Sequence, residues 1–321
     1  MKNQSEILVS ICVITYNQEQ WIRQTLDSII AQQTDYAFEV IIGEDHGTDG
    51  TRVICQEYAD KYENVKLLPS DTNLGLVGNW INCIRNSQGK YIMNCAGDDW
   101  WHNPNKIQQQ VNFMESHPDC VICHTDYDVY NQNTGKVEQS YYRSHKIEPA
   151  QGMVQREILG GSCRIAAVTQ CFRSDVMKEH VPFDKYIEMS FPREDWPTQL
   201  IMSMYGKICY LPISTSTYRV GQDSVTNMHD YEKIRNRYKK DKQMAEYLYS
   251  LYPQWGDFSG AASYYDTQVY HSLLLASYEN NDYKAACRFR KHDPTSTIAK
   301  KMSYTWLTFQ LYRLRRRYKG Q

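Results

Sequence analysis

The sequence predicts an α/β fold with a mixed, mostly parallel sheet flanked by helices. Over the first 130 residues, short apolar runs alternate with amphipathic segments, which is the pattern of repeated strand–helix units. Several apolar runs end in a cluster of acidic, Asn or Gly residues. The chain has 321 residues, 41% of them hydrophobic, which is enough to bury a core and to exceed one average domain.

The first half of the chain contains five predicted strands separated by helices. The strands are predicted at Val9–Ile14, Phe38–Ile42, Val65–Leu68, Tyr91–Asn94 and Val121–Thr125. The helices between them are predicted at Glu19–Gln32, Thr51–Lys61, Val77–Asn86 and Pro104–Ser116. Successive strand–helix units imply right-handed crossovers between parallel strands.

The second half is less regular. Tyr130–Pro149 is polar and rich in Tyr, Gln and Asn, so we expect a mobile excursion over the site. Val168–Arg173 is strand-like, Trp196–Tyr205 is helical, and Lys207–Leu211 is predicted as a strand that leads into Tyr218 and Arg219. We expect a domain over residues 1–229, with halves 1–128 and 129–229, followed by a helical C-terminal extension over 230–321.

Composition excludes several classes of function. A formal net charge of −1, from 36 basic and 37 acidic residues, argues against broad binding to nucleic acid. The N-terminus lacks an apolar signal core, and no stretch approaches the ~20 apolar residues of a membrane span. Most of the 10 cysteines lie in apolar runs, and the pair Cys120 and Cys123 is interpreted as strand filler rather than a zinc site. We therefore expect a cytoplasmic protein.

Polar motifs follow three of the predicted strands directly. They are Thr15-Tyr16-Asn17, then Glu44-Asp45-His46-Gly47-Thr48-Asp49-Gly50, then Ala96-Gly97-Asp98-Asp99-Trp100-Trp101. Ligands of open α/β sheets bind outside the carboxyl ends of the strands. The motifs therefore predict one shared ligand site.

Taken in order, these motifs resemble the family 2 glycosyltransferases, and most closely the bacterial group that builds surface polysaccharides. The resemblance also rests on Asn73-Leu74-Gly75, on Glu194-Asp195-Trp196-Pro197 and on Tyr218-Arg219, and it covers Val9 to Asn227. It implies the GT-A fold, a Rossmann-like nucleotide-diphospho-sugar transferase architecture, with residues 1–128 as the nucleotide-binding half and residues 129–229 as the acceptor-binding half. It also implies inverting transfer from a nucleotide-sugar donor, first of all a UDP-sugar, to a glycan or lipid-linked acceptor, with Mg²⁺ or Mn²⁺ as divalent metal.

The resemblance assigns roles to individual residues. Nucleotide binding is expected at Thr15, Tyr16, Asn17, Glu19, Asp45, Asn73, Gly75 and Asp98. Asp98 is the expected metal ligand and Asp195 the expected general base. The candidate acceptor or diphosphate contacts are Asp99, Trp101, Glu194 and Arg219.

The residues alone leave simpler readings open for each motif. Asn17 and Gly75 fit turns, Asp49 fits a helix cap, Asp195 fits a helix start, and Trp101 fits a core aromatic.

Two positions depart from the family pattern. Ala96 replaces the first acid of the family's DXD motif, and Gly221 stands where relatives often have His. The alternative is therefore a catalytically silent GT-A-like scaffold that binds nucleotide or glycan. A nucleotidyltransferase or a dinucleotide-dependent oxidoreductase is disfavoured because the loop after the first strand has no Gly or Lys and no GxGxxG is present.

The segment Met302–Tyr318 combines aromatic and aliphatic residues with a cluster of basic ones. Such a helix suits peripheral contact with anionic membrane, as at the inner face of a plasma membrane. A packed helix with a solvated, charged end explains the pattern equally well.

Overall fold

The computed structural model describes residues 8–159, 165–221, 229–255, 258–293 and 297–319. Its centre is a mixed sheet of eight strands. The strands are β1 (Val9–Thr15), β2 (Phe38–Glu44), β3 (Val65–Leu67), β4 (Tyr91–Ala96), β5 (Cys120–Asn131), β6 (Lys136–Glu138), β7 (Cys171–Arg173) and β8 (Lys207–Val220). Their order is β3-β2-β1-β4-β7-β5-β6, with β8 pairing β5. The neighbours from β3 to β4 are parallel, whereas β7 runs antiparallel to β4 and β5.

Helices connect and cover these strands. They are α1 (Ile22–Ile30), α2 (Thr51–Lys61), α3 (Gly75–Asn86), α4 (Lys106–Ser116), α5 (Tyr141–Ser144), α6 (Gln155–Leu159), α7 (Ser174–His180), α8 (Phe183–Glu188), α9 (Asp195–Met202), α10 (Tyr231–Leu251), α11 (Phe258–Glu279), α12 (Tyr283–Phe289), α13 (Ile298–Met302) and α14 (Trp306–Lys319). Single 3-10 turns occupy Ala167–Thr169 and Pro253–Trp255.

The core forms around β1, which is paired on both sides. Val9, Ile11 and Val13 of β1 are fully buried and belong to one apolar cluster with Leu26 and Ile29 of α1. A strand that is covered on both faces has apolar residues at successive positions, which is why the sequence of residues 9–14 predicts a buried strand. A rigid central strand places the residue that follows it, and therefore the loop after Thr15, at a defined edge of the sheet.

The chain divides into two compact units. Unit 1 comprises residues 1–130, 136–188 and 193–219, and unit 2 comprises 131–135, 189–192 and 220–321. Unit 2 has its own core, in which Tyr278, Phe289 and Phe309 are buried. The expected domain limit between residues 229 and 230 stays a prediction.

Most predicted elements are confirmed, with ends shifted by a few residues. β5 is longer than expected because it continues to Asn131, and β8 is one continuous strand over Lys207–Val220. The segment predicted as a strand at 168–173 is instead a 3-10 turn followed by the short strand β7. The pairing of β5 with β8 supplies backbone partners that local sequence does not reveal.

The segment 130–149, for which the sequence predicts a mobile excursion over the site, contains the short strand β6 and the short helix α5. The buried Asp126 carboxylate accepts the backbone N–H groups of Tyr142 (2.9 Å) and Arg143 (3.3 Å) at the start of α5. Asp128 Oδ1 accepts the N–H of Ser140 at 2.9 Å. Two carboxylates from β5 therefore hold the backbone of this segment.

The nine cysteines in the described ranges are free thiols, and Cys120 and Cys123 are buried. Among the described helices, none combines the length and hydrophobicity needed to cross a membrane.

Candidate active site

The loops after β1 and β2 are joined by reciprocal hydrogen bonds. Asn17 Oδ1 accepts the N–H of Thr48 at 2.7 Å, and Glu19 Oε2 accepts the N–H of Gly50 at 2.9 Å. In return, Asp49 Oδ2 accepts the N–H of Glu19 at 3.0 Å. Asn17 and Glu19 thus direct their side-chain oxygens at protein backbone and shape the rim of the site.

Two further residues of these loops have distinct local roles. Asp49 Oδ1 accepts the N–H of Thr51, the first residue of α2, at 2.9 Å. The N-cap residue is Gly50, so Asp49 satisfies a backbone donor at the helix start from the position before the cap. Tyr16 is half exposed, so its ring has a face available for packing against a ligand.

Asp45 gathers the loops after β1, β2 and β3 at one point. Its N–H donates to the carbonyl of Thr15 at 3.0 Å, and its carbonyl accepts Asn73 Nδ2 at 2.8 Å. The buried carboxylate accepts the N–H of Leu74 through Oδ1 at 2.7 Å. Its second oxygen, Oδ2, has no hydrogen-bond partner among the residues that the structure describes, so it is an acceptor available to a ligand N–H or hydroxyl.

Gly75 completes this corner. Its φ of 73° lies in the left-handed region that favours glycine, and its N–H donates to Asn73 Oδ1 at 3.1 Å. Thr15, Asp45, Asn73 and Gly75 are therefore brought together, as the sequence motifs predicted for one shared site.

Gly97 brings the acidic turn after β4 against the loop after β1. A Cβ at position 97 would lie 2.5 Å from Thr15 Oγ1 and 2.5 Å from Gln18 Oε1, so only glycine fits without displacement. Thr15 Oγ1 donates to Gln18 Oε1 at 2.8 Å, and the Gln18 side chain also hydrogen-bonds the Asp98 carboxylate. Gln18 therefore connects the end of β1 to the acidic turn after β4.

The two acids of this turn have different environments. Asp99 is buried, and its Oδ1 accepts the backbone N–H of Arg219 at 2.9 Å. Burial, together with the negative charge of Asp98, raises the pKa of Asp99 well above its usual value. Asp98 is partly exposed, and burial raises its pKa as well. Asp99 thus ties β8 to the end of β4, and Asp98 is the acid that faces outward.

The single outward-facing carboxylate, that of Asp98, fits a divalent cation that takes most of its ligands from the substrate. In the described ranges, no three His, Cys, Asp or Glu side chains are grouped so as to hold a metal. Mg²⁺ commonly uses only one or two carboxylates, with phosphate and water oxygens completing its shell. Asp98 would supply the protein carboxylate of such a site.

Arg219 is enclosed by aromatic rings and hydrogen-bonded to the acidic turn. Its guanidinium carbon lies 4.9 Å from the ring centre of Trp100, 5.1 Å from Tyr130 and 5.7 Å from Trp21. Nε donates to the carbonyl of Asp98 at 2.8 Å, and a terminal nitrogen donates to Gln24 Oε1 at 2.6 Å. These contacts position the Asp98 backbone.

Glu194 and Asp195 stand at the start of α9. Burial, and secondarily the charge of Asp195, raises the pKa of Glu194 to about 8. A protonated Glu194 is not a proton acceptor at neutral pH, so Asp195 stays the predicted proton acceptor of the pair. In the described part of the chain, no hydrogen bond joins Asp195 to Asp45 or Asp98.

The structure corrects one candidate contact. Trp101 is buried in the core, with the Lys106 ammonium 5.1 Å from its ring centre, so its ring does not present a face to a sugar. Ser224 and Val225 lie outside the described residues.

Sequence reasoning missed Gln18, Trp21 and Tyr130 as parts of the site. A signal existed only for Gln18, which directly follows the motif Thr15-Tyr16-Asn17.

A family model described as "Glycosyl transferase family 2" matches residues 10–173, about half of the chain. Rv1520 of Mycobacterium tuberculosis, an uncharacterized protein, is 39% identical over 116 residues, 36% of this chain and 34% of its own length. The putative glycosyltransferase EpsE of Bacillus subtilis is 31% identical over 125 residues, 39% of this chain and 44% of EpsE. The matched segment thus spans less than half of these relatives.

Solved structures share the fold over nearly the whole chain. TarS 1–349 of S. aureus, in complex with UDP-GlcNAc, has a TM-score of 0.53 and 16% identity, covering 98% of this chain and 92% of that one. The mannosyltransferase PcManGT of Pyrobaculum calidifontis, in complex with GDP-Man and Mn²⁺, has a TM-score of 0.55 and 16% identity, covering 97% and 86%.

Proposed function

This chain belongs to the family 2 glycosyltransferases, and from that premise we propose that it transfers a sugar, with inversion, from a nucleotide sugar to a glycan or lipid-linked acceptor. The pathway we propose is the synthesis of a cell-surface polysaccharide. The observation that carries the proposal is the meeting of three loops, those bearing Thr15, Asp45 and Asp98, at the carboxyl ends of adjacent parallel strands. In an open α/β sheet this edge is where nucleotides bind.

The nucleoside is held in this proposal by the corner around Asp45. Asp45 Oδ2 accepts an N–H or hydroxyl of the nucleoside, the Tyr16 ring packs against the base, and Asn73 and Gly75 close the pocket. Asn17 and Glu19 act indirectly, because their oxygens hold the loop after β2. We take UDP as the first nucleotide to test because a UDP-GlcNAc complex shares this fold, and GDP as the second because a GDP-Man complex does too.

The diphosphate lies beside Asp98 in this proposal. A bound Mg²⁺ or Mn²⁺ would offset the charge that develops on the departing nucleoside diphosphate. Asp98 supplies the carboxylate for it, and Asp99 and Arg219 keep the Asp98 turn in place. Gln18 couples this turn to Thr15, so that nucleoside and diphosphate are bound by one connected set of side chains.

The acceptor is activated by Asp195 in this proposal. The acceptor hydroxyl oxygen forms a bond to the anomeric carbon as the bond from that carbon to the diphosphate oxygen breaks. The hydroxyl proton passes to the Asp195 carboxylate, and the electron pair of the broken bond leaves with the nucleoside diphosphate. One displacement inverts the anomeric carbon.

A second candidate, a catalytically silent scaffold that binds nucleotide or glycan, is favoured by one observation. Ala96 at the end of β4 removes an acid that the family motif provides, which leaves Asp98 as the outward-facing acid of the turn. The two candidates differ in turnover, not in nucleotide binding.

The test is release of UDP or GDP from a panel of nucleotide sugars, with Mn²⁺ or Mg²⁺, by wild type, Asp98→Ala and Asp195→Asn. We expect slow, metal-dependent hydrolysis of one donor by the wild type and its loss in Asp98→Ala. Asp195→Asn should bind the same nucleotide with unchanged affinity and fail in transfer to acceptor. Nucleotide binding without release, in the presence of a polyprenyl-diphosphate-linked glycan panel, would support the scaffold instead.

A further inference from the structure

Helix α14 carries an exposed apolar face. Leu307, Leu311 and Leu314 are 63%, 53% and 46% exposed. Their spacing of four and three residues puts them on one side of the helix. Trp306, at the start of the same helix, is also exposed. Leucines at this spacing normally face a hydrophobic core, so their exposure indicates an interaction surface.

The opposite side of α14 is already packed within unit 2. Phe309 is fully buried and stacks on Tyr278 with ring centres 4.4 Å apart, and the ring of Tyr312 lies 4.9 Å from that of Tyr278. Arg313 Nε donates to the carbonyl of Tyr278 at 3.1 Å. The helix is therefore held by this side, and the leucine face stays outward while unit 2 is folded.

The charge of this region identifies the partner. From residue 294 to residue 321 the sequence contains no Asp or Glu, and its basic residues are Lys300, Lys301, Arg313, Arg315, Arg316, Arg317 and Lys319. The chain as a whole has a net charge of −1, so the positive charge is a local feature. An apolar helix face within a basic segment is the combination that binds the interface of an anionic bilayer.

We propose that α14 docks this protein on a membrane rich in anionic lipid, with Leu307, Leu311 and Leu314 entering the acyl boundary. The net positive charge of residues 294–321 attracts this segment to anionic lipid headgroups. This inference is independent of the proposed function, since it rests on unit 2 alone and uses no residue of the nucleotide site. It places the protein where a lipid-linked acceptor would be available.

The test is flotation of the full chain with vesicles of phosphatidylcholine alone and with about 30% phosphatidylglycerol. We expect binding to the anionic vesicles at least ~10-fold stronger than to neutral ones, and weakening at about 0.5 M salt. The double variant Leu307→Asp/Leu311→Asp should lose at least ~10-fold in binding because charged groups oppose entry into the bilayer. Both leucines are exposed, so circular dichroism should show an unchanged fold.

Val53→Asp, at an equally exposed apolar residue of α2, is the matched control and should bind vesicles as the wild type does. Lys301→Glu reverses one exposed charge and should weaken binding to anionic vesicles only. Equal binding by the wild type and the double variant would overturn the proposal. So would lipid-free dimerisation that the double variant abolishes, since the leucine face would then join two copies of the chain.

Discussion

Replacing Gly97 with alanine tests how closely the acidic turn must approach the loop after β1. The new Cβ would lie 2.5 Å from Thr15 Oγ1 and Gln18 Oε1 and 2.7 Å from Thr15 Cβ, whereas ordinary contact starts at 3.4 Å. Measured from Thr15 Cβ, the turn bearing Asp98 or the end of β1 must therefore move by about 0.7 Å. Gln18 can swing away, but Thr15 Cβ is fixed to a central strand.

Overpacking of this kind costs about 1–3 kcal/mol of unfolding free energy. A displacement near 1 Å at a catalytic group costs up to ~100-fold in rate. For Gly97→Ala we expect both losses, measured by urea unfolding and by UDP release, together with weaker UDP binding by fluorescence titration.

Gly135→Ala is the matched control, because Gly135 has a φ of 67° and open space around its missing Cβ. Its left-handed backbone predicts a stability loss of about 1 kcal/mol with unchanged UDP affinity and turnover. If Gly97→Ala matched the wild type in stability and in UDP affinity, the close packing of the two loops would be refuted as the reason for this glycine.

Three further predictions concern single side chains. Asp45→Asn keeps an acceptor for the Leu74 N–H but loses the charge offered to the nucleoside, so UDP affinity in a titration should fall ~10- to 100-fold with little change in stability. Arg219→Lys keeps the charge but loses the planar guanidinium that packs between the aromatic rings and donates to the carbonyl of Asp98. Because this contact positions the proposed metal ligand, the metal concentration that gives half-maximal activity should rise ~10-fold, while the acceptor KM stays constant. Burial lowers the pKa of Lys106 to about 8, from the usual lysine value of 10.5. The unfolded chain therefore holds this proton more tightly, and the free energy of unfolding rises as the pH increases from about 8 to 10.5. In urea unfolding across this pH range, the free energy of unfolding of the wild type should rise by roughly 3 kcal/mol more than that of Lys106→Met. An equal pH dependence in the two proteins would contradict the lowered pKa of Lys106.

Local sequence determined most of the parallel half of the fold. β1, β2 and β4 are buried on both faces, so each is a continuous apolar run, and the helices between them repeat their apolar residues at helical spacing. The motif positions followed, because a residue that comes after a parallel strand must lie at the carboxyl edge of the sheet. Thr15, Asp45 and Asp98 were identified by this reasoning and by the family resemblance.

The antiparallel half was less predictable because its pairing is non-local. The length of β5 depends on its pairing with β8, which lies about 80 residues further along the chain. The start of α5 is held by hydrogen bonds to the Asp126 and Asp128 carboxylates. Hydrophobic pattern carries no information about either partner.

By itself, the sequence determined the family, the parallel strands and the acids that follow them, because these depend on short-range pattern. Only the tertiary structure decided what each side chain does. Asp98 and Asp99 are adjacent and chemically identical, yet the backbone of Arg219, 120 residues away, engages the Asp99 carboxylate and leaves Asp98 as the outward-facing acid. Trp100 and Trp101 are likewise adjacent and identical, yet Trp100 lies beside Arg219 and Trp101 lies in the core. The burial of each ring is set by the neighbours that folding brings together.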